Sequence, residues 1–521
     1  MEKMDRLFVF GIGGSGERVM RSLVMLVAGG MEMNCGTIVP VLIDSDEKSC
    51  ALTKVCELID AYNKAVRLFD KDANFVKDDF VKANSMFHVK IEKPLLLNVS
   101  GTDVETLKKL VDAQNLEKIS PDLKAEFEML YSEKSQNMQL SWGFVGNPSI
   151  GAIVLNQMLE SDEYKNLKPT NKDGIFIVSS IFGGTGAAGF PLLVNKLRSD
   201  FDGKFDGVRI GALSMFPYFS LVEVADDSEV AKGLQEYDVN ESEFSTKTKA
   251  ALTYYAEHVK ALSSMYYLGA GDIQNRSRFP KFKGGEKQDN PAAMLEVLGA
   301  KAIAHFTFNA KGIKNEDANN DFKDFTTYYE YFIKKAPANG EFYDLETIDP
   351  EPSFREVFIR LQLLKYIWKD LVPDYIKNKL QWATSIGMED GRYKSLMATY
   401  LTPFLDDFEH WKQELQHPSH NNGFKFRFFN DNEAAGNTQG YVTQHFYPSI
   451  ANTVNKGLIK KTEETIDPKI INKMQAPAIK GDGFNSDETR FRYAFYTTLY
   501  AIEHMIKDSG NIKCINLTFN K

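Results

Sequence analysis

Twice in this chain a run rich in apolar residues passes straight into a glycine-rich turn and then into a helical pattern. Leu7–Phe10 leads into Gly11-Ile-Gly-Gly-Ser-Gly16, and Ile175–Ile181 leads into Phe182-Gly-Gly-Thr-Gly-Ala-Ala-Gly189. No other feature restricts the fold as much. An apolar run without period-two alternation reads as a strand covered on both faces. A strand that turns at once into a helix is the repeating unit of a parallel α/β sheet. Glycines let such a turn curl tightly and let a phosphate approach with no Cβ in the way. The helix that follows presents free N–H groups and the positive end of its dipole to an anion.

The second of these runs is bounded as Gly174–Ser179, and further apolar runs at Thr37–Ile43, Val208–Met215 and Met265–Leu268 supply the other strands, with helices expected over Glu17–Val27, Ile150–Glu160 and Ala188–Arg198. A long core helix is expected over 291–308, where Leu295, Leu298, Ala302, Ile303 and Phe306 form one stripe and Pro291 suits a first turn. Gly271–Asn290 is polar and reads as a loop. Beyond about residue 325 the character changes. Phe354–Leu380, Tyr393–Leu415 and Thr489–Ile506 read as helices, the first two rich in aromatics, and Ile512–Phe519 as a closing strand. The expected organisation is an α/β nucleotide-binding domain over 1–325, with a Rossmann-type parallel sheet. A divergent, helix-rich α+β domain would follow over 326–521.

One glycine turn of this kind also serves dinucleotide sites. Two of them, at the ends of different strands, suggest a cradle that grips one polyphosphate from both sides. Gly11, Gly13, Gly14, Ser15 and Gly16 form the first turn; Gly183, Gly184, Thr185 and Gly186 form the second, with the Thr185 hydroxyl as an added donor. Neither GxxxxGKS nor GxxxxGKT occurs, so no lysine of that motif is fixed on the phosphates. The strand ending at Ile43 is followed by Asp44-Ser-Asp46. A carboxylate there suits a ribose hydroxyl, and Asp46 equally suits the N-cap of the helix containing Leu52 and Val55.

Composition narrows the function classes. Net charge is −9 across 521 residues, which provides no basic field for nucleic acid or for an anionic membrane surface. No window is apolar for the roughly 18 residues that a spanning helix needs, and the run after the N-terminus is too short for a signal peptide. Cys35, Cys50, Cys56 and Cys514 lack paired spacing, so neither zinc nor a disulfide framework is indicated. A cytoplasmic location is expected.

With these motifs in place, the chain resembles the tubulin/FtsZ superfamily, in particular its bacterial tubulin-like branch. Gly183–Gly189 is similar to that family's phosphate loop, GGGTG followed by Ser or Thr and Gly, with Phe182 in place of the first glycine. Gly11–Gly16 is similar to its first loop, GVGGGG. Gly143-Phe-Val-Gly146-Asn147-Pro-Ser-Ile-Gly151 resembles the motif GxGAGxNPxxG, and the three motifs occur in the family's order. Asp44 and Asp46 match the turn near the ribose or metal, and Met215–Phe219 matches the sugar-facing loop. Asn290 falls where the family places an Asn that reads guanine, although it also suits an ordinary N-cap before Pro291.

The resemblance implies GTP or GDP with Mg²⁺, and self-association as a dimer or filament. It also implies slow GTP hydrolysis by an acidic loop completed across a subunit interface. In that loop Asn315 and Asp317 fit the pattern NxDxxD, Asn320 stands where the last Asp belongs, and Asp321 comes one residue late. Glu17 and Arg18 replace the usual Gly-Asn after the first loop. A carboxylate there disfavours phosphate unless it points away. Gly184→Glu or Thr185→Ala is expected to weaken binding with the fold intact. Two other readings stand beside this one: an ATP-dependent adenylating enzyme of the ubiquitin-activating type, and a nucleotide-gated scaffold acting through an unknown partner of the C-terminal domain.

Overall fold

A computed structural model of the protein describes residues 2–46, 49–68, 85–97, 106–137, 140, 144, 148–200, 207–222, 244–270, 277–280, 289–313, 326–333, 354–365, 368–369, 373, 390–416, 425–426, 488, 491–492, 495, 498–499, 502–503 and 519–520. The chain divides into two compact units. The first takes Met1–Ser22, Asn34–Cys56 and Ile91–Lys335, and the second takes Leu23–Met33, Glu57–Lys90 and Ala336–Lys521.

The first unit is built on a sheet of β1 (Met4–Ile12), β2 (Cys35–Ile43), β3 (Lys90–Ile91), β4 (Leu95–Leu97), β5 (Gly174–Ser180), β6 (Arg209–Met215), β8 (Ser264–Ala270) and β10 (Thr327–Ile333). Their order is β10-β8-β6-β5-β1-β2-β3, with β4 also paired to β2. The registers of β1 with β2 and β5, of β5 with β6, of β6 with β8, of β8 with β10 and of β2 with β4 are all parallel. Every residue of β5, β6 and β8 is buried. Strands covered on both faces therefore account for apolar runs that do not alternate.

Helices α3 (Pro148–Met158), α4 (Gly184–Asp200) and α5 (Phe244–His258) cover one face, packing on Phe8, Phe10, Ile175, Ile177, Ile210 and Met265. On the other face lies α6 (Met294–Asn309), with Phe306 5.1 Å from the Phe176 ring and Gly299 against Leu213 and Val19. The Val19 contact puts the start of α1 (Gly13–Ala28) on the same side as α6. The helices that follow β1 and β5 thus leave the sheet on opposite faces.

Several local expectations change. Helix α6 begins at Met294, not in the turn containing Pro291. Its N-cap is Ala293, whose backbone N–H donates to the Glu296 Oε2 at 2.9 Å. Asn290 therefore does not cap it. Within the segment expected to be a loop, Ser277–Pro280 is a short strand, β9, paired in parallel with β7 (Phe219–Val222). Strand β10, Thr327–Ile333, pairs with β8 and belongs to the first unit.

In the second unit, α7 (Phe354–Lys365), α8 (Asp390–Tyr400) and α9 (Thr402–Gln416) are helical. The single helix expected over Tyr393–Leu415 is broken at Leu401 because Pro403 lacks an N–H and is accommodated only in a first turn. Phe87, Phe404, Trp368, Phe491 and Phe495 form its aromatic core. The buried Arg360 pairs with Glu503 at 3.0 Å, and Ser85 Oγ donates to the same carboxylate. Strand β11 (Lys425–Phe426) pairs antiparallel with β12 (Phe519–Asn520). The rest of the closing strand expected over Ile512–Phe519 lies outside the described residues.

Phe306 fills the space left by Gly211, where a Cβ would stand 2.5 Å from its ring. Phe306→Ala should cost about 3–5 kcal/mol, read as a lower urea midpoint with an unchanged slope.

Candidate functional site

In this strand order the chain passes from β1 to β2 on one side and reaches β5 on the other. The crevice above the carboxyl ends of β1 and β5 is therefore the topological switch point, the place where open α/β sheets take ligands. Both glycine turns sit there.

The first turn has almost no loop. β1 ends at Ile12 and α1 starts at Gly13. A Cβ on Gly16 would stand 2.6 Å from the carbonyl carbon of Gly11 and 3.0 Å from the Val178 carbonyl oxygen, so α1 seats directly on β1 and β5. Gly13 has φ +67° and faces Thr185 of the second turn, with 3.5 Å from its Cβ position to the Thr185 Cβ. Gly14 lies beside the Arg18 guanidinium, and Ser15 is buried.

The second turn repeats this design. Gly186 seats α4 on the end of β5, a Cβ there falling 2.8 Å from the Ser180 carbonyl oxygen. Ser180 Oγ accepts from the Phe182 N–H at 3.2 Å. Gly184 presses on Phe144, 2.6 Å from Cβ position to Cβ, and Gly151 of α3 meets the Gly184 carbonyl oxygen and Phe144. The third motif is thus packed against the second, although Gly143, Gly146 and Asn147 lie outside the described residues. Gly184→Glu would clash with Phe144, so it cannot leave the fold intact as expected. Gly183 is the exception: among the described residues nothing lies within 4 Å of its Cβ position.

Beneath the first turn is a buried polar network that the sequence did not announce. Arg18 Nε donates to Glu296 Oε1 at 2.6 Å, and its NH2 donates to the Tyr218 hydroxyl at 2.8 Å. Tyr218 in turn donates to Glu296 Oε1 at 2.8 Å. Burial opposes the Arg18 charge, but Tyr218 and Glu296 more than offset it and raise its pKa. Burial pushes the Tyr218 hydroxyl up, which keeps its proton available to Glu296. The one sequence cue is half a capping box: Glu296 stands three residues after Ala293, a residue with no side-chain acceptor.

Glu17 turns inward and is fully buried. Its Oε2 accepts from Ser49 Oγ at 3.0 Å, and Ser49 Oγ also accepts from the Leu52 N–H. Ser49, not Asp46, therefore caps α2 (Cys50–Val66). Asp44 and Asp46 are buried, and Asp44 Oδ1 accepts from the Asp46 N–H at 3.1 Å. Burial, with Asp44 adding, raises the Glu17 pKa well above the ordinary carboxylate range. Burial likewise lifts Asp44 to about 7. The Glu17 carboxyl group is turned to Ser49, and its raised pKa favours the neutral form, which repels a phosphate less than a carboxylate does. Among the described residues no three His, Cys, Asp or Glu side chains are placed to hold a metal ion.

Asn290 lies just before α6, in a segment whose Asp289 pairs with Lys54 of α2. Its Oδ1 is buried without a hydrogen-bond partner among the described residues. Asn315, Asp317 and Asp321 lie outside the described residues.

The fold and this site define a doubly wound parallel α/β protein with paired glycine turns at its switch point. No family model matches the chain, and neither does any curated protein. Among solved structures it is similar to CetZ2 from Haloferax volcanii, a GTPγS-bound protofilament, with 12% identity, a TM-score of 0.25 and 58% of each chain covered. It is also similar to CetZ from Methanosaeta thermophila strain DSM 6194, with 12% identity, a TM-score of 0.21, and 57% of this chain and 52% of that one covered. The chain thus spans a little over half the length of either. Scores this low carry no weight for fold or function, and the architecture stands on the strand order and registers above. No helix among the described residues is long and apolar enough to cross a membrane.

Glu296→Ala would leave the Arg18 charge buried and unpaired. The expected loss is about 3–5 kcal/mol by chemical denaturation, while Glu296→Ala combined with Arg18→Met should recover a large part of it.

Proposed function

We propose that the first unit binds a purine nucleoside di- or triphosphate, guanine favoured, in the manner of the tubulin/FtsZ superfamily. The observation that carries this reading is the convergence of three separate motifs on one switch point: Gly13 against Thr185, and Gly184 against Phe144 and Gly151. The N-termini of α1 and α4 then supply N–H donors from both sides of the β1–β5 crevice. The open Gly183 leaves its backbone approachable. The unpartnered Oδ1 of Asn290 suits a donor on a purine edge, and Asp44 and Asp46 stand at the end of β2 for the ribose. Mg²⁺ would arrive on the phosphates, largely hydrated, as that ion prefers.

Self-association and slow hydrolysis rest on the motif resemblance. A carboxylate orients and deprotonates water better than the amide of Asn320 does, which favours binding with weak turnover. The adenylating reading accounts for the first turn and the Asp44–Asp46 strand end, but it leaves the second turn and the third motif without a role.

Calorimetric titration with GTP, GDP, ATP and NAD, each with Mg²⁺, tests the reading. GTP and GDP should bind. Gly183→Ala should weaken them at least about tenfold, or ~1.4 kcal/mol, without lowering stability, because the new methyl meets no atom of the described residues. Binding of ATP alone would favour the adenylating enzyme, and unchanged GTP affinity in Gly183→Ala would remove the second turn from the site.

A further inference from the structure

Glu17 follows Gly16 directly, in the first turns of α1, and its carboxyl group reaches Ser49 before α2. It is closed off from water, one oxygen bonded by Ser49 and Oε1 without a hydrogen-bond partner among the described residues. The charged groups that bear on it are Asp44 and Asp46 from the end of β2 and Arg18 from α1 itself. Arg18 is already committed to Glu296 of α6 and to Tyr218. Lys54 of α2 is paired with Asp289. Glu17 is therefore a closed-off carboxyl group whose ionisation burial opposes and the Asp44 charge opposes further. Such a group cannot ionise fully without large cost.

We propose that Glu17 makes ligand binding at the first glycine turn proton-coupled: an anionic phosphate in that turn and a proton on the Glu17–Asp44 pair bind together. The inference rests on the nucleotide reading above and adds a regulatory property to that site. A phosphate brings further negative charge beside a group that already resists ionisation, so it strengthens the hold on the proton. By reciprocity the proton strengthens the hold on the phosphate by the same factor. The balance is simple: the proton comes from solvent and goes to a carboxylate oxygen, and no other bond changes. Burial lifts both Glu17 and Asp44, the latter to about 7, so the coupling operates around and above neutral pH. A side chain at the position usually held by glycine thus becomes a pH sensor for occupancy.

The same pair gives a second, ligand-free signature. A carboxyl group whose pKa is raised in the fold contributes stability that is fully present below its unfolded pKa. That stability is lost as pH rises through the folded value. Stability of the ligand-free chain should accordingly fall as pH rises towards and through neutrality.

The test is calorimetric titration of the full chain with Mg²⁺–GTP between pH 7.5 and 9, in buffers of different ionisation heat. The wild type is compared with Glu17→Gln and, should that variant fail to fold, with Glu17→Met. Wild type is expected to take up a measurable fraction of a proton per GTP and to lose affinity as pH rises, by up to about tenfold per unit. The variant should show less uptake and a flatter profile. Equal uptake and parallel profiles, with GTP binding retained, would overturn the proposal and leave the nucleotide reading standing. If GTP does not bind either protein, the nucleotide reading fails. The proton half is then decided by urea unfolding against pH: a wild-type decline that the variant lacks supports it, and parallel curves overturn it.

Discussion

The buried contact between Arg18 and Glu296 is the constraint on which the site depends. A guanidinium in a closed interior is tolerable only while its partners are in place, and here each partner comes from a distant part of the chain. Glu296 opens α6, Tyr218 lies between β6 and β7, and Arg18 follows the first glycine turn in α1. The network thereby sets the start of α6, and with it the segment bearing Asn290, relative to the mouth of the β1–β5 crevice. Its energetic value lies in specificity of arrangement more than in net stability, because an apolar triad of the same shape would avoid the desolvation cost.

The glycines divide by what surrounds them. Gly16, Gly184 and Gly186 let two helices seat directly on two strands, with Cβ positions under 3.0 Å from backbone or from Phe144, and Gly11 is nearly as tight. Gly183 meets no such restriction. The close seating has a consequence for chemistry: when a helix starts at the end of its strand, its first N–H groups face the crevice with little chain between. The two helix starts face each other across the β1–β5 step, and Gly13 meets Thr185 where they touch. On the proposed reading, that arrangement would offer backbone donors to both sides of a polyphosphate.

Much of this was legible in the sequence because its causes are local. Strands buried on both faces write themselves as unbroken Val/Ile/Leu/Phe runs, and a turn that needs φ +67° at Gly13 writes itself as glycine. What was not legible depends on distant partners. Thr327–Ile333 becomes a strand by pairing with β8, with Tyr328 exposed and Tyr329 stacked on Tyr266, so its run of tyrosines carries no clear apolar period. Ser277–Pro280 and Phe219–Val222 are too short to stand out. The Arg18–Glu296 pair joins residues 278 positions apart, which no periodicity reports. Pro291 misled in the other direction: it is compatible with a first turn, but the Glu296 bond to the Ala293 N–H sets the start of α6 three residues later.

The central claim is that the two glycine turns form a single polyphosphate site. A crystal structure of the full chain with Mg²⁺ and a non-hydrolysable GTP analogue tests it most directly. The account predicts phosphate oxygens within hydrogen-bonding distance of backbone N–H groups from both Gly13–Gly16 and Gly183–Gly186. Phosphates held by the first turn alone, with the second turn making no contact, would contradict it.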